Sequence, residues 1–123
     1  VKKRILLAED HDDMTLRQGL RVLGYEITVA RDGLAAVEMA ISQLPDLIVM
    51  DICLPEVDGF QAASLIRKNP QTQAIPIVAV AGKALPGDKE KCKAGGCNAY
   101  ISKPFVFKEL KATIEALLRN GRQ

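Results

Sequence analysis

The chain is expected to fold as an α/β domain, a parallel sheet covered by helices on both faces. Three observations point there. Short uninterrupted apolar runs at 5–8, 47–50 and 77–80 are bounded by polar, proline or glycine residues, as strands buried on both faces are. Stretches with apolar residues at helical spacing separate them. Strand and helix patterns alternate five times, and that order builds a parallel sheet through right-handed crossovers.

Each element has its own warrant. Ile5-Leu6-Leu7-Ala8 is a buried strand ending at Glu9-Asp10. Leu16, Leu20 and Leu23 then fall on one helix face, with Asp12 or Asp13 available as cap and Gly24 as a stop. Glu26-Ile27-Thr28-Val29-Ala30 is more polar and partly alternating, which marks an edge strand. Val37, Ala40, Ile41 and Leu44 define the second helix, capped by Asp32. Leu47-Ile48-Val49-Met50 is a strand delivering Asp51 into a loop, and Ala63 with Ile66 marks the third helix. The run 77–80 is the fourth strand. Segment 86–94 is a thinner helix, with Asp88, Lys89, Glu90, Lys91 and Lys93 exposed and only Cys92 and Ala94 to bury. So little anchoring makes it a solvated surface helix, and a sharper reading makes it the movable part of a switch. Gly95-Gly96 stops it. Ala99-Tyr100-Ile101-Ser102 is the fifth strand, and Leu110, Ile114, Leu117 and Leu118 align the last helix.

Composition narrows the function classes. At 123 residues the chain reads as one domain over 1–123, able to bury about two-thirds of the surface its unfolded form exposes. A net charge of +2 argues for neither nucleic acid nor membrane as partner. No apolar stretch reaches the roughly 18 residues of a membrane span. Cys53, Cys92 and Cys97 are odd in number, so reduced thiols and a cytoplasmic setting are expected. With Val1 rather than methionine in first place, the chain reads as processed or as a segment of something longer. Residues 120–123 are a terminus or the start of a linker.

Ligands of an open parallel sheet collect outside the carboxyl ends of the strands, where the winding reverses. Glu9, Asp10, Asp51 and Lys103 all fall just past strand ends. Several carboxylates brought together repel, and a divalent cation offsets the repulsion. Oxygen donors without clustered His or Cys favour Mg²⁺ over zinc. A carboxylate beside such a cation, with the Lys103 ammonium opposite, is equipped to attack phosphorus and form an acyl phosphate. A single acidic residue after a strand is more often a helix cap, and Asp12 and Asp13 are read that way. His11 is a solvated neighbour of the acidic pair. The lysines of 83–93 form a polar face without the interleaved aromatics of a nucleic-acid surface, and no phosphate-binding glycine motif occurs.

The chain resembles a receiver domain of the two-component response regulator family. The likeness rests on Ile5-Leu6-Leu7-Ala8-Glu9-Asp10, on Met50-Asp51-Ile52-Cys53-Leu54-Pro55 with Asp58-Gly59, and on Tyr100-Ile101-Ser102-Lys103-Pro104. It implies a flavodoxin-like five-stranded sheet of order 2-1-3-4-5. It implies that Asp51 accepts a phosphoryl group from a phosphohistidine on a sensor histidine kinase or a histidine phosphotransfer protein. Mg²⁺ would sit between Asp10, Asp51 and the backbone carbonyl of Cys53, with Glu9 acting through water. Lys103 would pair with phosphoryl oxygens, held by a cis bond to Pro104. A downstream effector domain or protein would read the result.

One position departs from that pattern. The family normally ends its fourth strand with Thr or Ser, whose hydroxyl binds the phosphoryl group; Ala81 stands there. A hydrogen bond to a charged group contributes about 1.5–3 kcal/mol, so losing it weakens the switch about 10- to 100-fold. The Gly82 N–H remains as a phosphoryl contact. Tyr100 matches the family's aromatic switch residue without a hydroxyl partner at position 81. Three functions follow: a phosphoacceptor, a partner-binding module largely independent of phosphorylation, or a phosphatase of the haloacid-dehalogenase type. The last normally has a second Asp two residues after its nucleophile, where this chain has Cys53.

Overall fold

The computed structural model describes residues 3–9, 14–52, 54, 57–81, 86–102 and 106–120. Its elements run β1 (Arg4–Ala8), α1 (Met14–Val22), β2 (Glu26–Ala30), α2 (Gly33–Gln43), β3 (Leu47–Asp51), α3 (Gly59–Lys68), β4 (Ile77–Ala81), α4 (Asp88–Ala94), β5 (Ala99–Ser102) and α5 (Phe107–Asn120). The five strands form one sheet in the order β2-β1-β3-β4-β5, every neighbouring pair parallel. The fully apolar runs take the middle: β3 and β4 are buried along their whole length. The more polar β2 takes one edge, as its composition requires, and β5 takes the other.

Strand alternation divides the core. Leu6, Ala8, Ile48, Met50 and Ile77 point to the face covered by α2 and α3, against Ala36, Ala40, Ala63 and Ile66. Ile5, Leu7, Leu47, Val49, Val78 and Val80 point the other way, onto Leu16 and Leu20 of α1 and Leu110 and Ile114 of α5. Each such branched side chain contributes about 1.5–3 kcal/mol when fully buried. A smaller cluster, Ile52, Ala79, Ala81 and Cys92, seats α4.

The helix ends follow local chemistry. The Asp32 carboxylate accepts from the Ala35 N–H at 2.7 Å, capping α2 as its side-chain type demands. Asp58 and Gln61 close a capping box at the start of α3. Gly24 takes φ 97 just past α1; that helix stops at Val22, so Leu23 belongs to the turn. Asp12 and Asp13, the expected caps of α1, lie outside the described residues. Leu44 corrects the periodicity reading: it leaves α2, adopts φ 48 as the helix cap and is exposed, while its carbonyl accepts from Arg4 Nη2 at 2.7 Å. Ala94, expected inside, is exposed, which leaves Cys92 as the one buried residue of α4.

Candidate functional site at the carboxyl edge of the sheet

Parallel pairing brings all strand ends to one edge. Ala8 stands opposite Met50, so Glu9 and Asp51 emerge side by side from β1 and β3. The chain leaves β1 toward β2 and leaves β3 toward β4, which makes the gap between them the point where the winding reverses. Asp51 is 6 % exposed and Glu9 3 % exposed. Two carboxylates so withdrawn from water, on adjacent strands, cost too much to place there for packing alone. Beyond Asp51 the edge continues with Ala81, which is fully buried and in register with Ser102.

The loop after Asp51 is held by backbone contacts. The Ile52 N–H donates to Val80 O at 3.1 Å, and the Gly59 N–H donates to Ile52 O at 3.0 Å. Gly59 has no room for a side chain: a Cβ there would stand 2.5 Å from Ile52 Cα and 2.7 Å from Asp51 O. The start of α3 therefore abuts the backbone that presents Asp51. The Asp58-Gly59 pair is visible in the sequence, and this close approach is the reason for its glycine.

Tyr100 lies on β5 with its ring packed against the cluster of Ile52, Ala79, Ala81 and Cys92, and its hydroxyl oxygen is shielded from solvent. Among the residues singled out from the sequence, the structure thus gathers Glu9, Asp51, Ala81 and Tyr100 at one edge. Asp10, Cys53, Gly82, Lys103 and Pro104, with His11, lie outside the described residues. Among the described residues no group of three or more His, Cys, Asp or Glu could hold a metal. Glu9 and Asp51 supply oxygen donors alone, a set suited to a hard divalent cation.

One anchoring residue, at the amino ends of β4 and β5 and so at the opposite edge of the sheet, is not marked by the sequence. Arg67, at the end of α3, donates to Gly96 O at 2.9 Å, Ile75 O at 2.7 Å and Asn98 Oδ1 at 2.7 Å. The same Asn98 oxygen accepts from the Ile77 N–H at 2.8 Å. Burial lowers the Arg67 pKa from its ordinary value. Nothing local in the sequence marks it, since arginine in a last helical turn is ordinary.

Comparison with known proteins agrees with this geometry. A family model described as the response regulator receiver domain matches residues 5–115. The chain is 39 % identical over 118 residues to the polar-differentiation response regulator DivK of Brucella anthropi, covering 94 % of this chain and 96 % of that one. It also superposes on the receiver domain of a sensor histidine kinase from Pseudomonas aeruginosa, solved with magnesium in its active site cleft. That match has a TM-score of 0.90 and 37 % identity, over 98 % of this chain and 100 % of the other. Chemotaxis protein CheY4 of Vibrio cholerae is similar with a TM-score of 0.86 and 26 % identity, over 94 % and 98 % of the two chains.

Proposed function

Because the chain belongs to the response regulator receiver family of two-component signalling, we propose that it is a phosphoacceptor whose Asp51 takes a phosphoryl group from a phosphohistidine. The donor is a sensor histidine kinase or a histidine phosphotransfer protein. The observation that carries this reading is Asp51 itself, a nearly buried carboxylate at the end of the central strand beside Glu9. One Asp51 oxygen attacks phosphorus as the phosphorus–nitrogen bond to the donor imidazole breaks, leaving an acyl phosphate on the chain. Lys103, next in the chain after Ser102, pairs its ammonium with the phosphoryl oxygens. The Gly82 N–H, next after Ala81, donates to them.

The donor set fits magnesium. Asp10, Asp51 and the Cys53 carbonyl would hold it, with Glu9 acting through water. When bound, the ion supplies positive charge that offsets the carboxylates and the phosphoryl oxygens. The relative from Pseudomonas, whose cleft holds magnesium, supports the assignment. Autophosphorylation and dephosphorylation are the only chemistry assigned; the domain, read as 1–123, signals through an effector domain or partner protein. No helix among the described residues is long and apolar enough to cross a membrane. A cytoplasmic setting, with no direct contact to nucleic acid, belongs to the same proposal.

Incubation with acetyl phosphate and Mg²⁺, followed by intact mass measurement, is expected to show one acid-labile phosphate. Asp51→Asn abolishes it, and Asp10→Asn reduces it. An unchanged adduct on the Asp51→Asn protein rejects the assignment. A second reading, a partner-binding module that works largely without phosphorylation, draws on Ala81 and on Tyr100 already packed inward. Equal partner affinity with and without beryllofluoride would favour it.

A further inference from the structure

We propose that Cys92 and Cys97 form a dithiol–disulfide couple, closed by a two-electron oxidant of the hydroperoxide class, that ties the last turn of α4 to the start of β5. The contact arises from the way α4 ends. Gly96 adopts φ 99, the Cys97 N–H donates to Cys92 O at 2.9 Å, and the Gly96 N–H donates to Lys93 O at 3.1 Å. This bond pair is the Schellman motif, in which the residue after the left-handed glycine packs on the one five positions earlier. Those positions are ordinarily two apolar side chains. Here both are thiols, Cys97 packing against the cluster that holds Cys92.

The backbone bond between the two residues keeps their Cα atoms near the separation a disulfide spans. Access is unequal: Cys92 is fully buried and Cys97 is half-buried. Cys97 therefore meets the oxidant first. Its thiolate takes the terminal oxygen of the peroxide, forming a sulfenic acid and releasing alkoxide, or hydroxide from hydrogen peroxide. The Cys92 sulfur then attacks the Cys97 sulfur; the S–O bond breaks and water leaves. In sum, two thiols and one hydroperoxide give a disulfide, water and the corresponding alcohol, or a second water from hydrogen peroxide. Burial raises the Cys97 pKa above its ordinary value, opposed in part by Cys92 and by the Arg67 guanidinium, whose Nε donates to Gly96 O.

The position gives the bond a consequence. Cys92 is the one buried residue of α4 and packs with Ile52, Ala79 and Ala81 at the edge that presents Asp51. Closing the bond fixes that anchor to the strand carrying Tyr100, independently of any phosphoryl transfer. The test is treatment of the whole chain with hydrogen peroxide at about pH 8, where an ordinary thiol is partly ionised. Loss of two hydrogens by intact mass is expected, with a linked Cys92–Cys97 peptide on non-reducing digestion. Cys97→Ala removes the link and Cys53→Ala keeps it. In the oxidised chain, amide exchange over 88–97 slows by roughly tenfold, because local opening is restrained. A link through Cys53, oxygen addition without a link, or unchanged exchange in the linked protein overturns the proposal.

Discussion

Gly59 and Asp51 are eight positions apart in the chain, yet the first decides how the second is presented. A methyl group at position 59 meets backbone atoms at 2.5 and 2.7 Å, which cannot swing aside as a flexible side chain could. Gly59→Ala is therefore expected to cost about 1–3 kcal/mol by overpacking. It should also slow Asp51 phosphorylation more than a stability loss of that size explains; urea titration and phosphorylation rates together check this. Cys92 gives a second residue-scale expectation. Burial, then the neighbouring Cys97, pushes its thiol from 9.0 up to about 12. Between those values the unfolded chain has released the proton and the folded one has kept it, so folding holds more protons and stability falls as pH rises. The contribution is whole below pH 9.0 and is lost on the way to about 12. Replacing Cys92 with Ala should flatten that alkaline decline in a pH series of thermal melts.

Among the elements, α4 is the least secured, and unevenly so. Its first turn has Gly87 in the cap position with no side-chain hydrogen bond. Its middle has one cation–π contact, Lys91 Nζ lying 4.5 Å from the Phe60 ring centroid, of a kind that contributes about 0.5–1 kcal/mol when exposed. Its last turn is closed by the Schellman bonds, and Arg67 grips the Gly96 carbonyl. Movement of this helix should therefore begin at its amino end and pivot near Gly96. Hydrogen exchange is expected to show faster opening at 88–91 than at 95–98. Arg67→Met should erase the difference and cost about 1.5–3 kcal/mol, since it removes hydrogen bonds from a charged donor. Lysine cannot reproduce the fork geometry, so Arg67→Lys should recover little of the loss.

For the molecule as a whole, the sheet works as a frame that sets the strand ends level, and the proposed phosphoacceptor stands on that edge. Ala81 is fully buried there, with Tyr100 packed beside it. Phosphorylation of such a receiver is expected to proceed while the accompanying rearrangement stays small. Ala81→Thr should enlarge the phosphate-dependent shift in partner affinity by about 10- to 100-fold, the equivalent of one hydrogen bond to a charged group. Binding measured with and without beryllofluoride checks it, and an unchanged ratio would remove the hydroxyl from the explanation.

The strand–helix alternation, the buried central strands, the polar edge strand β2, the Asp32 cap and the acidic placement of Glu9 and Asp51 are all legible in the sequence alone. They are local properties: periodicity, side-chain type and chain order suffice, and the parallel winding then forces the carboxyl ends together. Leu44 shows where periodicity misleads, because a leucine at helical spacing was spent on the cap instead of the core. Tertiary structure alone decided the rest. Arg67 meets Gly96 across 29 residues of chain, and α3 presses Gly59 onto the Asp51 loop. Such contacts depend on which elements come to lie side by side, and no short window of sequence contains both partners and the packing that joins them.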